Sequence, residues 1–121
     1  SAPWGVEEQP SFLNACITIA TQRSPQELLD LLKEIERVMG RQVRAKWERR
    51  EIDIDILLSQ EGTVIQEERL TIPHPFLAER AFVLCPLAQI VPEWSHPLLG
   101  KNILELQKRV DCSEIRRITT L

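Results

Sequence analysis

Tyrosine is missing from this chain, and only three tryptophans and three phenylalanines stand among its 121 residues. So few flat side chains, with a formal net charge of −3, argue against a broad nucleic-acid surface. No apolar run approaches the length a membrane helix needs, and no signal-peptide pattern is visible. A cytoplasmic location with no membrane partner is therefore expected. No Gly-rich Walker loop exists, and no Ser-His-Asp or Cys-His arrangement is suggested. Cys16, Cys85 and Cys112 are odd in number, widely separated and without metal-ligand spacing. They read as reduced thiols, Cys16 and Cys85 in the core. What is present is ordinary: 43% hydrophobic and 27% charged residues suit one domain, 1–121, with a real core.

Residues 12–20, FLNACITIA, read as a strand because β-branched and apolar residues fill it. A helix is expected over 25–39. Ser24 is its N-cap, Pro25 its first residue, and Glu27 completes a capping box. Leu28, Leu31, Leu32, Ile35, Val38 and Met39 recur at helical spacing, and Gly40 stands where the chain leaves the helix. A loop over 40–49 then leads to a strand over 50–58, a turn at 59–62 and a short returning strand at 63–66. Pro73 and Pro75 hold His74 extended. Residues 76–90 read as helical in pieces, with Pro86 interrupting or restarting a turn. A helix capped by Asn102 covers 102–110, and 115–121 is a strand or a tail. Interleaved strands and helices point to α+β or α/β layering.

The strand over 50–58 carries the most informative pattern. Side chains alternate along a strand, so Ile52, Ile54 and Ile56 share one face and Asp53 and Asp55 the other. Paired anions repel, and Asp is a poor strand former, unless a cation sits between them. Mg²⁺ is often held by one or two carboxylates plus phosphate oxygens. Directly upstream stand Arg37, Arg41, Arg44, Lys46, Arg49 and Arg50, with Glu48 the only acid over 37–50. Arg suits forked phosphate contacts, Lys point-charge contacts. A solvated polar face would explain any one of these residues. Together they read as a metal–phosphate site.

Other candidates are weaker singly. His74 is rigidly held and suits phosphate contact or proton handling, although a surface turn would also accommodate it. Arg80 is either a phosphate clamp or a partner for Glu79. His96 has no obvious partner and reads as structural. Trp47 packs on the domain or stacks on a planar ligand. Phe12 and Asn14 share a face, an aromatic beside an amide, which can read a flat heterocycle; Phe12 is equally well plain core.

Five blocks in order complete a resemblance. PWGVEEQPSFLNA (3–15), SPQELL (24–29), ERVMGR (36–41), KWERREIDIDIL (46–57) and LTIPHP (70–75) with ERAFVL (79–84) resemble the 6-hydroxymethyl-7,8-dihydropterin pyrophosphokinases. The resemblance implies a ferredoxin-like αβα sandwich with a mainly antiparallel sheet, and diphosphate transfer from ATP to a pterin alcohol in folate biosynthesis, leaving AMP. It implies that Asp53 and Asp55 hold two Mg²⁺ ions. Arg41, Arg44, Lys46, Arg50, Arg69, Thr71, His74 and Arg80 would engage ATP or the transferred group, with Arg41, Arg44 and Arg50 catalytic beside the aspartates. Asn14 would bond the pterin ring, Phe12 and Phe82 sandwich it, and Trp47 close over it. The family opens with a strand bearing Gly-Ser-Asn, a helix and a second strand that this chain lacks, and Glu48-Arg49 replaces its usual Gly-Pro. The chain is thus expected to be the C-terminal portion of a longer, usually monomeric enzyme, and on its own to associate through uncovered edges. Two other functions stay open: a non-catalytic fragment that binds Mg-nucleotide, and a structural or interaction domain.

Overall fold

The structure is a computed structural model. It describes residues 14–45 and 52–117, with side chains for all of these except 41–45. Helix α1 spans Pro25–Ala45 and begins as its punctuation predicts. The Ser24 N–H donates to Glu27 Oε1 at 2.8 Å, and the Glu27 N–H donates to Ser24 Oγ at 3.1 Å. These bonds hold the Glu27 carboxyl below its ordinary pKa. The helix does not end at Gly40. Left-handed backbone is found at Gly62 (φ 78°) and Gly100 (φ 66°), whereas Gly40 stays helical and is followed by Arg, Gln and Ala, all good helix formers. Arg41 and Arg44 therefore lie on helical backbone, not in a loop.

The expected strands at 12–20 and 50–58 are not formed in the described parts, 14–20 and 52–58. Alternation favours an extended strand, but a ladder also needs a neighbouring backbone. The polar groups of 52–58 go elsewhere. Ile54 N–H donates to the Glu36 carboxylate on α1, and Leu57 C=O accepts from His74 N–H at 2.8 Å. The returning strand is shorter than expected, and its partner is not 50–58: β1 (Ile65–Gln66) pairs antiparallel with β2 (Thr71–Ile72). A cis peptide joins Ile72 to Pro73.

A 3₁₀ turn at Leu77–Glu79 leads into α2, Ala81–Ile90. Pro86 lies inside α2 without splitting it; the burial of Leu84 and Leu87 on either side holds the helix together despite the missing donor. β3 (Ser95–His96) and β4 (Lys101–Asn102) form a second antiparallel pair. α3 follows at Ile103–Gln107, ending before the expected 110. Its cap is as read: Asn102 Oδ1 accepts the Glu105 N–H at 2.8 Å, and Glu105 Oε1 accepts the Asn102 N–H at 2.9 Å. Residues 111–117 carry no regular element; 118–121 lie outside the described residues. The described residues are thus α+β, with antiparallel strands in two two-stranded sheets.

Two hydrophobic clusters form among the described residues. The larger joins Leu77, Leu84, Leu87, Val91, Ile103 and Leu106, with Leu57, Leu58 and Trp94 against it. Full burial of a Leu or Ile is worth about 1.5–3 kcal/mol each, and Leu77, Leu84 and Ile103 are wholly buried. The smaller joins Leu29, Leu70 and Ile72, with Ile56 and Ile65 beside it. Much of the apolar stripe of α1 remains exposed, at Leu31, Ile35, Val38 and Met39. Cys85 and Cys112 form a disulfide with Cα atoms 6.1 Å apart, which corrects the reading of three reduced thiols. The 27-residue separation hid the pair, because the turn through α3 brings the tail back to α2. Cys16 is a free thiol, and burial pushes its pKa up. Among the described residues no helix is long and apolar enough to cross a membrane.

Candidate active site

Asp53 and Asp55 are exposed, whereas Ile52, Ile54 and Ile56 are half-buried. The alternation read from the sequence thus survives without a ladder. Ile56 is drawn into the smaller cluster, and Leu57 and Leu58 into the larger, so the segment bridges both. Between the two aspartates, the Ile54 N–H is anchored by Glu36, whose other oxygen meets Lys33 Nζ at 3.2 Å. The acidic pair is therefore fixed against α1. None of the ion pairs among the described residues involves Asp53 or Asp55. No group of three or more His, Cys, Asp or Glu that could hold a metal occurs among them either. Two open carboxylates with no third ligand among the described residues suit a hard cation such as Mg²⁺ whose remaining ligands are phosphate oxygens and water.

A second group gathers after the cis-Pro73 turn. His74 is fixed at two points: its N–H bonds to Leu57 O, and its Nδ1 accepts the Phe76 N–H at 3.2 Å. With Nδ1 accepting, the neutral ring carries its proton on Nε2, a donor for an oxyanion. The Arg80 guanidinium stands over the Phe76 ring at 4.8 Å and over the Phe82 ring at 5.8 Å. Both rings are partly exposed. Arg80 makes no ion pair with Glu79 among the described residues. Nothing in the sequence reading singles out Phe76; the signal available was its place four residues before Arg80, one helical turn away.

The remaining candidates divide. Arg69 is at the surface, paired with Asp30 of α1 at 3.0 Å. Thr71 is half-buried in β2, and Asn14 is exposed. Phe12, Lys46, Trp47 and Arg50 lie outside the described residues, as do the side chains of Arg41 and Arg44. His96 is buried, and its Nδ1 accepts the N–H groups of Leu98 and Leu99 at 3.2 Å each. It holds the β3–β4 turn together.

Residues 1–92 match the 7,8-dihydro-6-hydroxymethylpterin-pyrophosphokinase family. The chain belongs to that family. Among its curated relatives is the 2-amino-4-hydroxy-6-hydroxymethyldihydropteridine pyrophosphokinase of Synechocystis, 42% identical over 88% of this chain and 54% of that protein. The enzyme of the same name from Methylorubrum extorquens is 42% identical over 96% of this chain and 72% of its own length. That of Aquifex aeolicus is 45% identical over 88% and 66%. This pyrophosphokinase-family chain thus spans between about half and seven tenths of the relatives it matches.

Proposed function

We propose that this chain takes part in transferring diphosphate from ATP to the hydroxymethyl group of 6-hydroxymethyl-7,8-dihydropterin, in folate biosynthesis, with AMP as the other product. The observation that carries the reading is the Asp53/Asp55 pair, exposed on one side of a segment that α1 and both clusters hold in place. Family membership supports the substrate class, because the relatives are named for this reaction. Within this reading, residues 1–121 belong to one ferredoxin-like pyrophosphokinase domain acting in the cytoplasm.

Asp53 and Asp55 are the groups that would hold Mg²⁺, two ions in the full reading, which neutralise phosphate charge when bound. His74 donates from Nε2, and Arg80 offers its forked donors, to phosphate oxygens. Arg69 and Thr71 take supporting contacts with ATP. Asn14 bonds the heterocycle and Phe82 stacks on it. Phe12 and Trp47 complete the pterin pocket; Arg41, Arg44, Lys46 and Arg50 complete the phosphate grip. Transfer joins the hydroxymethyl oxygen to the β-phosphorus and breaks the bridge to the α-phosphorus, with the hydroxyl proton passing to water. Such chemistry depends on positioning and charge neutralisation more than on a strong base.

The test is phosphorus NMR of ATP, Mg²⁺ and the pterin alcohol with the full chain, with calorimetry of Mg-ATP binding in parallel. AMP and pterin diphosphate are expected, and Asp53→Asn/Asp55→Asn should lose roughly a hundredfold or more in rate together with Mg²⁺-dependent binding. ADP as product, or Mg-ATP binding indifferent to that double substitution, refutes the assignment. Binding without turnover would identify a nucleotide-binding piece instead.

A further inference from the structure

We propose that Phe76 is a positioning residue that presents the Arg80 guanidinium to phosphate, an inference that rests on the pyrophosphokinase reading above. Phe76 is 48% exposed, and a large ring left half in water calls for a reason. Its neighbour supplies one. Arg80 lies 4.8 Å from the Phe76 centroid, closer than the 5.8 Å to Phe82, both within the range of cation–π attraction. A guanidinium held by a carboxylate has its forked N–H groups occupied. One held by ring faces keeps them free for an oxyanion. The ion pairs among the described residues involve Lys33, Arg37 and Arg69, not Arg80.

Phe76 is itself fixed from the other side. Its N–H donates to His74 Nδ1, and its ring lies 6.1 Å from the imidazole, tilted by 58°. One residue therefore sets two donors at once: its backbone leaves the His74 proton on Nε2, and its ring sets the direction of Arg80. Phe76 need not touch the nucleotide to do either. Because Arg80 also stands over Phe82, the same guanidinium links the phosphate-binding group to the ring proposed to stack on the pterin.

Three variants of the full chain separate this role from plain packing: Phe76→Leu keeps apolar bulk without a ring face, Phe76→Tyr keeps the face, and Arg80→Ala removes the cation. Calorimetry with Mg-ATP and with inorganic tripolyphosphate should show binding about fivefold weaker in Phe76→Leu, the loss of one exposed cation–π contact. Phe76→Tyr should restore it to within about twofold. In the Arg80→Ala background, Phe76→Leu should change nothing further, the non-additivity expected of a residue acting through another. The Arg80 Nε–H resonance, shifted by the ring in the ligand-free chain, should move in Phe76→Leu and stay in Phe76→Tyr. Wild-type affinity in Phe76→Leu, or additive losses in the double variant, overturns the inference while leaving the pyrophosphokinase reading intact. If the wild-type chain binds neither probe, the functional reading fails and takes the phosphate-presenting role with it, whatever the resonance shows.

Discussion

The two hydrophobic clusters differ in kind. Around α2 and α3, Leu77, Leu84, Ile103 and Leu106 are sealed from solvent, and the Cys85–Cys112 disulfide ties the following segment to α2. Around α1, the buried set shrinks to Leu29, Leu70 and Ile72. Leu31, Ile35, Val38 and Met39 lie open on the helix. The site candidates follow this division. His74, Arg80 and Phe82 border the dense side, whereas Asp53 and Asp55 sit on a segment that reaches across to the thin side. Burial is concentrated in one half, and the acidic pair is held by both.

Unfolding in denaturant should separate the halves most sharply. Leu84→Ala, at a wholly buried site, is expected to cost about 4 kcal/mol, and Leu29→Ala, at the edge of the smaller cluster, about 2 kcal/mol. Equal costs would erase the distinction. Next in size is the disulfide. Opening a closed loop of 27 residues should remove about 3.5 kcal/mol, measured as unfolding with and without reductant or in Cys112→Ser. A stability unchanged by reductant would mean that the tie adds nothing to the dense half.

A pH test probes the same half. Burial pushes His96 below its ordinary value of 6.5, and its Nδ1 must stay unprotonated to accept from Leu98 and Leu99. Its stabilising share is therefore complete above pH 6.5 and declines as the pH falls towards the lower folded value, since the unfolded chain takes up the proton first. In His96→Gln that part of the slope should vanish from a pH series of unfolding midpoints. The smallest effect belongs to the thin half. A methyl at Gly40 meets nothing within 4 Å, so Gly40→Ala should stabilise α1 by about 0.5–1 kcal/mol. Destabilisation would show that the helix does not run through this residue.

Local chemistry was legible in the sequence. The Ser24–Glu27 box and the Asn102 cap each lie within four residues and formed as read, and Glu105 adds the second half of a box at Asn102. The inward Ile and outward Asp alternation over 52–56 also held. What needed a distant partner was not legible. Whether 52–58 joins a ladder depends on a neighbouring backbone, and its amide at Ile54 bonds a helix carboxylate instead. Cys85 finds Cys112 only after an intervening turn and helix. The Arg80–Phe76 contact required knowing that the chain coils immediately after Pro75.

The bond from Ile54 to Glu36 has a mechanical corollary. α1, whose final turn contains Arg41 and Arg44, is the same rod that grips the backbone between Asp53 and Asp55. Any tilt or sliding of that rod carries the backbone between Asp53 and Asp55 along with it, so helix and aspartates move together as the domain breathes. Under the proposed function, a polyanionic nucleotide arriving with its metal would meet carboxylates already braced by a helix, and would not have to gather them from an independent loop.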